Sequence, residues 1–210
     1  MIKKVINNFD LEIKIGDKLK ITSDRIGNKM LANVEKDDVI IVSGNIANHG
    51  IAIMSLREGL QFETEIQSDT VNLNHTVLKL IEQFGNDIKF LRDPTRGGVA
   101  SVLNEIAELT QLSFYLEQTF IPLNDAVEGA CEMLGLDPLY VANEGLFLAV
   151  VKKEIATAFL AQLKADENGL NAAIIGEVND THPGKVVMKS RVGGKRIVNY
   201  LTGEQLPRIC

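Results

Sequence analysis

The chain has 210 residues, 45% hydrophobic and 24% charged, with a formal charge of −6, enough for one large globular core and, without any basic run, a poor match to nucleic acid or acidic membranes. No stretch approaches the about eighteen unbroken apolar residues of a spanning helix, and the start MIKKVINNFDLEIKIGDK has no apolar signal-peptide core. Two cysteines, Cys131 and Cys210, suit a reducing, cytoplasmic setting.

Residues 11–22, LEIKIGDKLKIT, alternate about Gly16-Asp17 and predict a hairpin; a polar linker follows, so that residues 1–35 stand apart from the rest. A short buried strand is expected at 39–44, then a short helix in NHGIAIMSLRE with Asn48 as its cap. Apolar residues at 73, 77, 80, 81 and 84 have helical spacing, and IKFL at 88–91 is a strand. Val99, Val102, Leu103, Ile106 and Ala107 make one face of the next helix, and LSFYL at 112–116 the next strand. Val127, Ala130, Cys131 and Leu134 make another helical face, closed by Gly135 as a C-cap. Strands at 139–142 and 146–151 should flank the turn NEG. A helix over 154–165, with Ile155, Phe159, Leu160 and Leu163 inward, precedes strands near 172–178, 185–189 and 195–200, the last two joined by VGG. About four helices and seven strands without strict alternation predict an α+β layered domain over 36–200, followed by a mobile tail at 201–210.

Chemistry has few places to sit. In LRDPTRGGVASVLNEI, Asp93 can cap a helix whose first position is Pro94, which puts Gly97 and Gly98 in its first turn. Its N–H groups, with Arg92 and Arg96 nearby, would suit a phosphate or carboxylate; equally, the glycines could simply pack. In YVANEGLFLAVV, Glu144 is either a solvated turn residue or, if the turn lies near the core, a desolvated proton acceptor. No two of His49, His75 and His182 have metal-ligand spacing, so no metal site is expected; His49 alone could face a pocket. Cys131 reads as a core thiol and VGGK as a hairpin loop. The tail GEQLPRIC ends on Cys210: an incidental cysteine, or a thiol on a mobile arm that can enter another active site.

Taken together, DVIIVSGNIANHGIAIMSLRE, LRDPTRGGV, GACEMLGLDPLYVANEG, AAIIGEV and the final LPRIC resemble the HypE family of hydrogenase-maturation carbamoyl dehydratases, from about residue 36 to residue 210. The terminal PRIC is highly specific and favours the carrier role for Cys210. The resemblance places the chain in the superfamily of aminoimidazole ribonucleotide synthetase and selenophosphate synthetase, whose members pair an N-terminal nucleotide-binding domain, which dimerises, with an α+β C-terminal domain built on a mixed sheet. It implies that a HypF carbamoyltransferase loads a carboxamide on Cys210, that ATP-dependent dehydration makes a thiocyanate, and that the cyano group passes to iron on a HypC–HypD complex. ATP and Mg are the family's cofactors. Glu144 becomes the expected base. His49, Asp93, Arg96, Gly97, Gly98 and Asn143 are expected to shape the cleft or hold an anion, and Pro207 and Arg208 to present the tail.

The family's nucleotide-binding segments and its GDTK-like motif have no match here; residues 1–35 are at most a remnant, and Leu146 stands where the family commonly has lysine. Catalysis is therefore expected to need an ATP-binding half from elsewhere. The alternatives are a non-catalytic carrier that presents Cys210 to maturation partners, and a superfamily relative acting on a phosphorylated small molecule.

Overall fold

The structure, a computed structural model, describes residues 33–58 and 66–200. The hairpin expected at 11–22 and the tail with Pro207, Arg208 and Cys210 lie outside the described residues. Seven strands form one sheet among those described: β1 (Val39–Val42), β2 (Ile88–Arg92), β3 (Ser113–Glu117), β4 (Leu148–Val151), β5 (Ala173–Asn179), β6 (Val186–Lys189) and β7 (Lys195–Val198), in the order β2-β4-β1-β5-β3-β6-β7. Every neighbouring pair is antiparallel except β3 with β6. The run LAVV of β4 has no polar residue to offer solvent, and it sits fully buried between β2 and β1, covered on both faces.

Among the described residues five α-helices cover the sheet: α1 (Asn48–Glu58), α2 (Asn74–Phe84), α3 (Gly98–Thr110), α4 (Asp125–Leu134) and α5 (Lys153–Lys164). The two-residue period of β1 divides the core. Ile40 and Val42 join the cluster beneath α1, α3 and α4, whereas Ile41 joins the cluster beneath α2 and α5. On the second face the rings of Phe84 and Phe159 meet at a tilt of 49°, with centroids 5.3 Å apart. This α+β layering on a mixed sheet is the expected class, with five helices among the described residues where about four were expected.

Three local expectations are corrected. Residues 138–140 form a 3-10 turn rather than a strand, because Asp137 Oδ1 accepts from Leu139 N at 3.0 Å and Pro138 fixes the first position. The helix after LRDPT begins at Gly98, with Gly97 in left-handed geometry as its N-cap, so Asp93 does not cap it and Pro94 is not its first residue. Asn48 is the first residue of α1, and its Oδ1 has no hydrogen-bond partner among the described residues, so it does not cap that helix.

Candidate active site at one end of the sheet

Register places the site. Val42 pairs with Leu148, and Leu148 with Arg92, so the segments leaving β1 and β2 and the one entering β4 emerge side by side. These carry Ala47–His49, Asp93–Gly98 and Asn143–Gly145, and the segment before α2, Ser68–Thr70, closes on them.

Asn143 ties the group together. It is fully buried; its Oδ1 accepts from Ala47 N at 2.7 Å, and its Nδ2 donates to the carbonyls of Pro94 and Val141, both at 3.0 Å. Ala47 has φ of 71°, a left-handed conformation that costs a non-glycine residue about 1–2 kcal/mol. The Asn143 bond to its N–H helps hold that strained corner.

Glu144 follows, half-buried, with its backbone N–H donating to Asp69 Oδ1 at 3.2 Å. Burial raises the Asp69 carboxyl above its ordinary value, offset in part by the N–H groups of Glu144 and Gly145 and by the nearby His49. Its Oδ2 is buried without a hydrogen-bond partner among the described residues. His49, buried at the start of α1, shares a 2.9 Å hydrogen bond between Nδ1 and Ser68 Oγ, and Ser68 Oγ meets Thr70 Oγ1 at 2.8 Å.

The two glycines of RGG serve close approach within the chain. Gly98 has φ of 60°, and a Cβ there would lie 2.5 Å from the Leu139 carbonyl oxygen and 2.6 Å from that of Val141. Arg96 is exposed on this turn and Asp93 half-buried, whereas Arg92 turns away to pair with Glu105 of α3, so it does not join Arg96. Sequence reading brought His49, Asn143, Glu144 and the glycine turn to one place, and missed Asp69, Ser68 and Thr70. An aspartate in the polar stretch QSDTVNLN gives no local signal; its partner is 75 positions away.

Cys131 stands apart in α4, buried, with its thiol pushed up to about 11 chiefly by burial and further by Asp137 and Glu128. It is a core thiol, as its apolar helical face predicts. Among the described residues no group of three or more His, Cys, Asp or Glu could hold a metal ion, and no helix is long and apolar enough to cross a membrane.

Residues 35–189 match the family model described as "AIR synthase related protein, C-terminal domain". The chain belongs to the AIR synthase related family. Among its relatives, carbamoyl dehydratase HypE of Bradyrhizobium diazoefficiens is 51% identical over 174 residues, covering 82% of this chain and 50% of that protein. A solved structure of the hydrogenase maturation protein HypE in complex with ATP aligns with TM-score 0.81 at 42% identity, over 86% of this chain and 55% of that one. A HypE–HypF complex aligns with TM-score 0.77 at 42% identity, over 81% and 55%. Within the AIR synthase related family the resemblance to HypE read from the sequence thus holds for fold and for homology. The chain spans about half the length of the curated HypE relatives it matches.

Proposed function

We propose that this chain is the thiol-bearing half of a carbamoyl dehydratase serving NiFe-hydrogenase maturation in the cytoplasm. The reading is carried by its likeness to HypE together with the terminal LPRIC. A HypE–HypF complex exists for a similar protein, which supports a HypF-type carbamoyltransferase as the donor. In the proposed cycle the Cys210 sulfur attacks the carbon of a carbamoyl adenylate, the bond from that carbon to the AMP oxygen breaks and AMP leaves, the thiol proton passes to solvent, and the sulfur holds the group as an S-carboxamide. The tail then enters the site where Glu144 stands.

Dehydration removes one water overall: the carbon–oxygen bond breaks and the nitrogen loses both protons, leaving a thiocyanate. Glu144 takes one proton and solvent the other, and the oxygen departs on the group that activates it. ATP, with Mg, supplies activation of the carboxamide oxygen when bound to an N-terminal half of the kind that full-length relatives carry; a relative's complex with ATP supports that assignment. This chain's own residues hold and orient. Asn143 fixes the turn, Gly97 and Gly98 let it approach, Asp93, Arg96 and His49 line the cleft, and Pro207 and Arg208 present the tail. The S–C bond finally breaks as the cyano group passes to iron on a HypC–HypD complex; leaving the sulfur as thiolate and the carbon as iron-bound cyanide takes two electrons, which a reductant on that complex would supply. Full-length members would do this as homodimers.

The test is intact-mass spectrometry after incubation with HypF, carbamoyl phosphate and ATP. The expected result is a carboxamide adduct on the wild-type chain and none on Cys210→Ala. An adduct on both, or on neither, would refute the acceptor role. A wild-type adduct that never loses water, even with an ATP-binding half added, would leave a carrier that presents Cys210 to its partners.

A further inference from the structure

We propose that Asp69 is the positioning residue for Glu144: its carboxylate grips the Glu144 peptide N–H and so sets the base against the incoming carboxamide. The inference rests on Glu144 being the base. Three observations converge on this pair of segments.

First, Asp69 Oδ1 accepts from Glu144 N at 3.2 Å, a bond to the backbone of the residue whose side chain must be aimed. Second, the backbone of Asp69 occupies the space beside Gly145 where a Cβ would stand, meeting it at the Asp69 carbonyl oxygen, so the two segments are seated on each other and not merely adjacent. Third, the segment carrying Asp69 is tied on its other side to α1, through Ser68 Oγ and His49 Nδ1 at 2.9 Å. Asp69 thus lies between the His49 corner and the NEG turn. Its second oxygen, Oδ2, is buried without a hydrogen-bond partner among the described residues. Burial also lifts its pKa, consistent with a group held tightly against the turn.

Positioning of a base matters because a small displacement of a reacting group can cost about 100-fold in rate. Asp69→Ala removes the grip. Asp69→Asn keeps a carbonyl oxygen where Oδ1 accepts, and serves as the rescue.

The experiment follows two quantities on the full chain supplied with HypF, carbamoyl phosphate, ATP and the N-terminal half of a full-length relative. These are the rates of carboxamide loading and of subsequent water loss by intact mass; hydrogen exchange of the Glu144 amide is read in parallel. For Asp69→Ala the expected result is water loss slowed about 10- to 100-fold, loading within about threefold of wild type, and faster exchange at the Glu144 amide. Asp69→Asn should restore both water loss and amide protection to within about threefold. Unchanged water loss in Asp69→Ala, an unchanged Glu144 amide, or an Asp69→Asn variant as slow as Asp69→Ala would each overturn the inference. So would equal losses of loading and water loss, which would mark a merely structural role. A wild-type chain that loads but never loses water overturns the proposed dehydration itself, and the inference with it. That outcome is told apart by being visible before any variant is made.

Discussion

Asn143 spends its whole side-chain amide on three buried backbone groups, those of Ala47, Pro94 and Val141. Removing it strands donors and acceptors that water cannot reach, each unmade bond being worth about 1–3 kcal/mol. Asn143→Ala should therefore lower unfolding free energy by about 2–4 kcal/mol in urea titrations, above the about 1 kcal/mol of an average substitution. A second prediction concerns pH. The Asp69 carboxyl is raised by burial in the folded protein, so the native state holds its proton to higher pH than the unfolded chain. Stability from this group is full below the unfolded value near 3.8 and declines as pH rises through the raised folded value. Asp69→Asn has no such loss. Its stability relative to wild type should improve on going from about pH 3 to about pH 7, and a constant difference across that range would contradict the assignment. Neither residue's geometry was legible locally. NEG announces a turn, yet nothing in it reveals that Asn143 is wholly consumed by packing, or that the carboxyl raised by burial belongs to Asp69 in another segment.

At the scale of elements, periodicity did most of the reading. The faces of α2, α3, α4 and α5 emerge where the 3.6-residue spacing puts them, and Gly135 caps α4 with φ of 67°. What failed were the places where a side chain or a glycine overrode an apolar run. Residues 139–142 look like a strand, but Asp137 and Pro138 wind 138–140 into a 3-10 turn. RGG looks like a first helical turn, but Gly97 stands outside α3 in left-handed geometry and Gly98 lies against the 139–141 backbone. That contact makes Gly98 a lever on the site. Gly98→Ala should cost at least the about 1–3 kcal/mol of ordinary overpacking, since it adds an unfavourable φ to a backbone collision. The turn bearing Glu144 should shift with it. Thermal melts give the first quantity and amide chemical shifts of 141–146 the second; a melt and spectrum like wild type would show that the contact yields freely.

For the whole molecule, the layered α+β class followed from the mixture of patterns, whereas the order β2-β4-β1-β5-β3-β6-β7 did not. Strand neighbours such as β1 and β5 are far apart in sequence, and no local rule pairs them. That order nevertheless makes the site, because it sets the ends of β1 and β2 beside the start of β4. The proposed function adds a role for the Cys210 thiol. In that proposal thiol and site meet at Glu144. The most direct measurement is water loss from the S-carboxamide in the presence of the ATP-binding half of a full-length relative, comparing wild type with Glu144→Gln. The account predicts that wild type converts its carboxamide to the thiocyanate while Glu144→Gln accumulates the carboxamide, slowed at least about 100-fold, as loss of a general base does. Conversion by Glu144→Gln at the wild-type rate would contradict it.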